Sequence, residues 1–325
     1  MQLIGQLPGD IEQFTELQIL SLNSNNFIGS IPPSVGNLKN LYWLDLSANK
    51  LTGSIPVSNL KIPAGLDNLT HAKFFHLGDN QLSGSIPLRL FNSNMKLIHL
   101  LLENNRLTGT IPSTLGLVTS LEVVRLDRNL LRGSVPSNIN NLTNTTYLFL
   151  SNNQLTGPMP DLTGMNVLKF VDLSNNTFDP SDVPSWLSTL QALTTIKMHN
   201  TNLGGELPAT LFNIPQLQNV DLSNNQITGT LNIGSNPSTQ LELVDLRLNN
   251  IEDFTQRHLY HLGIGLILVE NPICTESGLN EAFCSLPTNS TISYSTPSIS
   301  CEPPSCVSGL VLSPNCQCAV PYTGL

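Results

Sequence analysis

The sequence is poor in charged residues and lacks long apolar runs. Only 11% of its 325 residues are charged, and 23 Asp and Glu outnumber 14 Lys and Arg, for a formal net charge of −9. No cluster of basic residues occurs, which argues against nucleic acid and against an anionic membrane surface as partners. The longest aliphatic run, Leu262–Val269, is far shorter than the ~20 residues that span a bilayer.

The motifs of common catalytic centres are also missing. The chain contains no G-x-G-x-x-G, H-R-D, D-F-G, G-x-S-x-G or H-E-x-x-H, so it encodes no kinase, hydrolase or zincin core. His258 and His261 have a spacing that suits a metal, but no further His or Cys stands at a sensible spacing around them. We therefore predict that this fragment is not an enzyme and that it holds no cofactor and no metal.

A repeat occupies most of the chain. The stretches LYWLDLSANKLTGSIP, LEVVRLDRNLLRGSVP and LQNVDLSNNQITGTL follow LxxLxLxxNxLxGxIP at a nearly constant spacing, which is the signature of a repeat architecture. One step, from Asn49 to Asn80, is clearly longer than the rest, and Thr201 fills one asparagine position. The recurring asparagines are Asn25, Asn49, Asn80, Asn105, Asn129, Asn153, Asn176, Asn225, Asn249 and Asn271.

This pattern predicts the structure of each unit. Alternation in LxLxx gives a short strand whose leucines point inward, and the asparagine amide can pair with backbone groups in the turn that follows. The LxGxIP segment gives a glycine-permitted bend and a proline-fixed extended stretch. Because no unit can bury its leucines alone, the units must stack. We expect a curved, right-handed solenoid of short strands, loops and 3-10 turns, with parallel strands on its concave face from about Gln18 to Val269.

Two departures from the regular pattern test this assignment. Thr201 has a shorter reach than asparagine and should form a weaker rung of the asparagine ladder. The long step between Asn49 and Asn80 should bulge out as a loop or short helix, while these two asparagines still occupy equivalent rungs.

The start of the chain falls inside a repeat. Counting back one repeat from Asn25 places Met1 in an asparagine position, and no signal peptide is visible. A solenoid end normally carries a polar capping unit. We therefore expect a truncated start, with exposed leucines at the first edge of the stack.

The repeats resemble the extracellular domains of plant leucine-rich-repeat receptor-like kinases. Three stretches are more specific: IPSTLGLVTSLEVVRLDRNLLRGSVPSNINNLTN, PDLTGMNVLKFVDLSNNTFDPSDVPSWLSTL and LSPNCQCAVPYTG. They resemble the branch with a cysteine-rich segment between the repeats and the membrane helix. The resemblance implies a secreted start upstream, a membrane helix and a Ser/Thr kinase domain downstream, and a place outside the plasma membrane. In that branch, extracellular cysteines have been linked to sensing of peroxide and quinones.

The six cysteines divide into two groups. A Cys274–Cys284 bridge would close a small loop over the end of the array, a common way to cap such solenoids. The other four cysteines crowd into the segment 301–318, and sequence alone cannot choose among the pairings that six cysteines permit. We predict structural bridges between the 301/306 and 316/318 segments, while an oxidant-responsive pair is the alternative. The second group is Cys301, Cys306, Cys316 and Cys318.

The chain therefore divides into four predicted segments. Residues 1–273 form about ten leucine-rich repeats, and residues 274–284 form the C-terminal disulfide cap. Residues 285–300 are rich in Ser, Thr and Pro and form an extended spacer. Residues 301–325 form the cysteine cluster at the start of the juxtamembrane region.

Five N-x-S/T sequons predict carbohydrate. Asparagine-rich repeats create some sequons by accident, so we expect about three to be occupied. Together with six cysteines, they favour an oxidising, extracellular setting. The sequon asparagines are Asn68, Asn141, Asn144, Asn175 and Asn289.

Solvent-facing strand positions lie two, four and six positions before each ladder asparagine. Aromatic side chains there predict a protein or peptide interface, and Arg125 is a candidate reader of an anion. The alternative is that the outermost column packs under loops at the strand entrance. Asp172, Asp221 and Asp245 recur because the unit recurs, so we expect no catalytic carboxylate pair. The predicted ligand surface is Trp43, Phe74, His76, His99, Leu101, Arg125, Tyr147, Phe149 and Phe170.

The sequence is compatible with three functions. The leading hypothesis is the sensing ectodomain of a receptor-like kinase, whose protein or peptide ligand alters contacts with a co-receptor ectodomain. The second is an oxidant sensor acting through the 301–318 cysteines. The third is a secreted enzyme inhibitor built from the same repeat, disfavoured because this chain continues past the cap into a second cysteine cluster.

Overall fold

The computed structural model describes residues 2–59, 61, 63–255, 264–275, 282–286 and 297. The chain divides into two units, Met1–Leu286 and Pro287–Leu325.

One long parallel sheet runs through the first unit. It contains eleven strands among the described residues, one from each repeat, in chain order. The register is regular: Trp43 pairs with Phe74, and Phe74 pairs with His99. The strands are β2 (Ile19–Ser21), β4 (Trp43–Asp45), β6 (Phe74–His76), β8 (His99–Leu101), β10 (Val123–Arg125), β12 (Tyr147–Phe149), β14 (Phe170–Asp172), β16 (Thr195–Lys197), β18 (Asn219–Asp221), β20 (Leu243–Asp245) and β22 (Gly265–Ile267). The predicted parallel-strand solenoid is confirmed.

Shorter strands form a second set of parallel sheets after the asparagine turns. The glycine of the LxGxIP segment lies in these strands or at their ends with a positive φ, for example 79° at Gly53 and 75° at Gly109, which a side chain would strain. The strands are β1 (Ile4–Gln6), β3 (Asn26–Ser30), β5 (Lys50–Gly53), β7 (Gln81–Ser85), β9 (Arg106–Thr108), β11 (Arg132–Gly133), β13 (Gln154–Leu155), β15 (Ser181–Asp182), β17 (Leu203–Gly205), β19 (Gln226–Leu231) and β21 (Asn250–Phe254).

Single 3-10 turns return the chain to the long sheet in most repeats. Proline precedes many of them in an extended conformation, as Pro112 does at φ −71° and ψ 134°. The 3-10 helices are Ile11–Gln13, Pro33–Asn37, Leu66–Asn68, Leu88–Leu90, Ser113–Leu117, Ser137–Asn141, Ser185–Thr189, Ala209–Asn213 and Ala282–Cys284, and one α-helical turn, α1, spans Pro272–Thr275.

The asparagine ladder forms as predicted. The Asn129 amide nitrogen donates to the carbonyls of Leu126, at 3.2 Å, and of Leu102 in the preceding repeat, at 2.9 Å. Its amide oxygen accepts the backbone N–H of Leu107 at 3.0 Å. One side chain therefore satisfies buried backbone groups in two repeats, which requires both the donor and the acceptor of an amide.

Thr201 interrupts this ladder. Its hydroxyl lies 2.6 Å from the Met198 carbonyl and 3.3 Å from Asn225 Oδ1. The hydroxyl has one proton and a short reach, so it does not reproduce the amide bonds to the preceding repeat seen at Asn129. The expected weaker rung is present.

The ladder continues across the long step. Asn80 Nδ2 donates to the carbonyl of Leu46 at 3.0 Å, and Asn80 Oδ1 accepts the N–H of Leu51 at 3.0 Å. The extra residues form a loop that the Asp67 carboxylate ties to the backbone N–H of Ser58 at 2.7 Å. The phase assignment of Asn49 and Asn80 is confirmed.

The two ends of the described stack differ. At the first edge, Leu3, Ile4 and Phe14 are 52%, 78% and 64% exposed. At the last edge, Cys274 and Cys284 form the predicted disulfide. Phe283 is buried beside this bridge, and its carbonyl accepts the N–H of Leu268 at 2.7 Å, so the cap covers the final strand.

Candidate functional site

The predicted ligand residues lie side by side on the outward face of the long sheet, hereafter the sheet face. The parallel register places Trp43, Phe74 and His99 in one row across β4, β6 and β8. Arg125 and Phe149 are partners in β10 and β12. The strand assignment therefore brings these side chains together as expected.

Their predicted exposure was wrong for most of them. Trp43 is 0% exposed and Phe149 is 2% exposed; Arg125 and Tyr147 are intermediate. Strands in a sheet are ~4.8 Å apart, so large side chains on one face cover each other along the row. The alternation of residues along a strand predicts which face a side chain points to, but it does not predict how side chains of neighbouring strands cover each other. The buried members of the predicted surface are Trp43, Phe74, His76, His99, Leu101, Phe149 and Phe170.

The first packed group contains aromatic rings and two histidines. The Trp43 and Phe74 rings lie 4.3 Å apart, and the rings of His76 and His99 stack at 5.5 Å. His76 Nε2 lies 3.3 Å from His99 Nδ1, and His76 Nδ1 lies 3.8 Å from an Asp45 oxygen. Burial, with a smaller contribution from the charge of His76, lowers the pKa of His99 to about 3, so this ring is neutral at physiological pH.

The second packed group is a row of cations and aromatic rings. The Arg125 guanidinium lies 4.7 Å from the Phe149 ring centre, and the Phe149 and Phe170 rings lie 4.7 Å apart. The Lys197 ammonium lies 5.7 Å from the Phe170 ring centre. Cations over aromatic faces are mutually attracted. These contacts hold the row in one arrangement.

Arg125 is not a free reader of anions. Its Nε and Nη2 donate to the two oxygens of Asp127 at 3.1 and 3.0 Å, a paired arrangement that is strong and directional. Its Nη1 also lies 3.6 Å from Glu103 Oε1. The guanidinium is therefore already engaged by two carboxylates, which corrects the anion-binding role expected for it.

Glu103 was not among the residues predicted to form the ligand surface. It is 7% exposed, and its Oε2 has no hydrogen-bond partner among the described residues. Burial raises the pKa of Glu103 to about 7, with Arg125 opposing the rise and the charges of Asp127 and Asp79 adding to it. Glu103 stands two positions before Asn105, and this position was predicted to lie on the solvent-facing side of the sheet. The repeat phase could therefore have identified Glu103.

The recurring aspartates close side-chain turns. In four repeats the aspartate four positions before the ladder asparagine accepts the backbone N–H two positions later, in a side-chain turn. For Asp172 the bond to the N–H of Ser174 is 3.1 Å, and for Asp245 the bond to the N–H of Arg247 is 3.1 Å. Asp45 and Asp221 make the same bond with Ser47 and Ser223.

The described sequons lie in different surroundings. Asn68, Asn141 and Asn144 are exposed, in or just after 3-10 helices. Asn175 instead borders the sheet face, where its Nδ2 lies 3.0 Å from Asn152 Oδ1 and 3.2 Å from His199 Nε2. Because a glycan replaces one Nδ2 hydrogen, modification of Asn175 is compatible with only one of these two bonds.

Several predicted residues lie outside the described part of the chain. These are His258, His261, Asn289 and the four cysteines Cys301, Cys306, Cys316 and Cys318. Within the described ranges, no cluster of three His, Cys, Asp or Glu residues is placed to hold a metal ion. Nor does any helix there have the length and apolarity required to cross a membrane.

A second concave feature lies away from the sheet face. It is a groove of about 430 Å³ at the LxGxIP segments of three successive repeats. Ser85, Thr110 and Ser134 contribute hydroxyl groups, while Ile86 and Ile111 contribute apolar surface. The repeat pattern does not predict a role for this groove.

Comparison with known proteins agrees with this architecture. Five segments match the leucine rich repeat family, at residues 16–38, 40–61, 96–117, 144–165 and 216–237. A probable leucine-rich repeat receptor-like protein kinase of Arabidopsis thaliana is 42% identical over 239 residues, which are 73% of this chain and 25% of that protein. The chain contains leucine-rich repeats and is similar to plant leucine-rich-repeat receptor-like kinases. It spans about a quarter of the length of this relative.

Several solved structures that are similar to this chain are receptor ectodomains. One is the ectodomain of the Arabidopsis thaliana membrane receptor kinase GASSHO1/SCHENGEN3 with CASPARIAN STRIP INTEGRITY FACTOR 2, with TM-score 0.75, 30% identity, and coverage of 83% of this chain and 32% of that one. Another is Arabidopsis HAESA with the peptide hormone IDA and the co-receptor SERK1, with TM-score 0.59, 28% identity, and coverage of 83% and 52%. These matches are to leucine-rich repeats and to receptor ectodomains.

Proposed function

We propose that this chain is the ligand-sensing extracellular region of a plant receptor-like kinase, and that a peptide or protein ligand binds on the sheet face. The observation that carries the proposal is the pre-packed sheet face itself. Phe149 is held between Arg125 and Phe170, while Tyr147 beside them is only half-buried. A surface that is ordered before binding loses little side-chain freedom when a ligand arrives.

A second receptor ectodomain is the other partner that we propose. Structural neighbours include a receptor bound to both a peptide hormone and a co-receptor. By analogy, ligand on the sheet face would create a joint surface for a co-receptor. We also propose that the chain lies on the extracellular side of the plasma membrane, which the homology, the sequons and the disulfide support.

Selection of binders tests the proposal. The full chain, secreted by plant cells, is immobilised and used to select peptides from a random library. The affinity of the selected peptides is then measured for Tyr147→Ala and for a control variant on the second set of sheets, Gln154→Ala. We expect at least a tenfold loss for the first and no change for the second. Equal affinity for the wild type and Tyr147→Ala would contradict the proposal.

Oxidant sensing is a separate hypothesis that rests on the crowding of Cys301, Cys306, Cys316 and Cys318 into one short segment. We propose that these cysteines form structural bridges within their own cluster. Non-reducing peptide mapping of the secreted protein tests this. Two bridges that resist mild reductant support the structural role. Free thiols at rest that react selectively with peroxide would instead assign sensing to this segment.

A further inference from the structure

A glycine on the sheet face makes room for a buried carboxyl group. Gly78 and Glu103 occupy the same position of neighbouring repeats, two before Asn80 and Asn105. A Cβ placed on Gly78 would lie 2.7 Å from Glu103 Cδ and 2.9 Å from its Oε2. The Glu103 carboxyl group therefore occupies the space that a side chain at position 78 would fill.

This carboxyl group is incompletely paired. Oε1 lies 3.6 Å from Arg125 Nη1, which is longer than a hydrogen bond. Oε2 is buried and has no hydrogen-bond partner among the described residues. A buried acceptor without a donor is destabilising, so a donor brought by a ligand is favoured there. The terminal torsion of glutamate is broad, and the group can turn to present either oxygen.

The charges around Glu103 favour a cation. Arg125 donates to both oxygens of Asp127, and Arg128 lies 3.3 Å from the same carboxylate. The two arginines are therefore directed to Asp127. Asp79, next to Gly78 in the chain, is exposed and interacts electrostatically with Glu103. Because both arginines are directed to Asp127, they do not fully compensate the negative charge of Asp79 and Glu103.

We propose that Asp79 and Glu103 form a subsite on the sheet face for one arginine or lysine side chain of a polypeptide ligand. The inference rests on the proposed function, because it names the chemistry of that ligand. Exposed Asp79 attracts the cation, and Glu103 supplies the unpaired acceptor. The several N–H donors of a guanidinium suit two carboxylates at once. The site thus differs in sign from the anion reader first expected at Arg125.

Proton release accompanies binding at this subsite. The groups that face Glu103 are Gly78 and Asp79 from the β6 repeat, and Arg125 and Asp127 from the β10 repeat; its own repeat contributes uncharged Asn104, which donates to Asp79 at 2.6 Å. A pKa of about 7 means that Glu103 is partly protonated at neutral pH. A ligand cation favours the ionised form, so affinity should rise between pH 6 and pH 8.

Peptide selection with matched variants tests the subsite. The full chain and its Glu103→Gln variant are each used to select from a random peptide library. We expect Arg or Lys to be enriched at one peptide position with the wild type and not with Glu103→Gln. Replacing that arginine by citrulline should weaken binding to the wild type about tenfold and weaken binding to Glu103→Gln much less, because only Asp79 remains there. Asp79→Asn should lower affinity severalfold, while the exposed control Glu122→Gln should have no effect.

The outcomes separate this inference from the proposed function. Peptides that bind on the sheet face without a basic residue would overturn the subsite and leave the proposed function intact. An equal loss from citrulline on wild type and Glu103→Gln would also overturn the subsite. A library that yields no binder contradicts the proposed function and the subsite with it. Gly78→Ala keeps every charge but displaces the carboxyl group, so unchanged affinity in that variant counts against the geometry.

Discussion

Asn80 donates to the carbonyl of Leu46, in the preceding repeat, at a distance of 3.0 Å. The bond crosses the one long step of the repeat, so the ladder is unbroken at this step although the spacing changes. Bonds of this kind make each ladder asparagine a link between neighbouring repeats. The stability of the stack therefore depends on the polar side chains of the ladder as well as on the apolar core.

Removing one rung should destabilise the whole array. In Asn80→Ala, the N–H of Leu51 loses its partner. The carbonyls of Leu46 and Leu77 each lose one donor and keep the amide of Asn49 or Asn105. The unpaired N–H costs about 1–3 kcal/mol, less where water enters, and each lost hydrogen bond about 1 kcal/mol, so we expect a total loss of about 3 kcal/mol. Thermal unfolding measures it. The exposed control Asn94→Ala should change stability by less than about 0.5 kcal/mol, and equal effects in both variants would contradict the ladder account.

Restoring the weak rung should have the opposite effect. Thr201 is 1% exposed, and an asparagine there can reach the preceding repeat as Asn129 does. We expect Thr201→Asn to stabilise the chain by about 1 kcal/mol, the net value of a typical hydrogen bond. Thr156→Asn, at an exposed position, serves as the control. A decrease in the melting temperature of Thr201→Asn would show that the surrounding repeats have adapted to threonine.

Glu103 should make stability depend on pH. Its folded-state pKa of about 7 lies above the ordinary value of 4.5, so between these values the folded chain binds more protons than the unfolded chain. Its contribution to stability is therefore greatest below pH 4.5 and falls as pH rises to 7. Glu103→Gln should match the wild type near pH 4.5 and be about 2–3 kcal/mol more stable at pH 8. Identical urea unfolding curves at pH 8 would contradict this.

His99 should act in the opposite pH direction. Its folded-state pKa of about 3 lies below the ordinary value of 6.5, so the unfolded chain binds the extra proton between these values. Its contribution is fully present above pH 6.5 and is lost as pH falls toward 3. In His99→Phe, which keeps a ring against Phe74, stability should fall less on acidification from pH 6.5 to pH 4.5. A fall as steep as in the wild type would assign the acid sensitivity to other groups.

The sequence predicts the backbone better than the surface. Spacing alone assigns the rungs at Asn49 and Asn80 and the cap at Cys274–Cys284, because each depends on a repeat phase or on a short separation along the chain. It does not reveal that the residue before each rung has a positive φ, since Ser24, Arg128 and Leu248 have no side-chain feature in common. The conformation is imposed by the ladder that follows.

In the candidate site, too, the sequence predicts the position of a side chain better than its exposure. Alternation correctly places Phe149 on the sheet face, but its burial depends on Arg125 and Phe170 in neighbouring repeats. Likewise, the space that the Glu103 carboxyl group fills depends on Gly78 in the preceding repeat. Contacts between repeats decide which side chains are accessible, and such contacts are not encoded in the phase of a single repeat.

Hydroxyl-radical footprinting of the full chain with a selected peptide tests the central claim, that the sheet face is the ligand surface. Tyr147 is half-buried on that face, and Leu88, 61% exposed, lines the groove away from it. We predict that bound peptide lowers the oxidation of Tyr147 severalfold and leaves that of Leu88 and Phe14 unchanged. Protection of Leu88 with no change at Tyr147 would place the ligand in the groove and contradict the account.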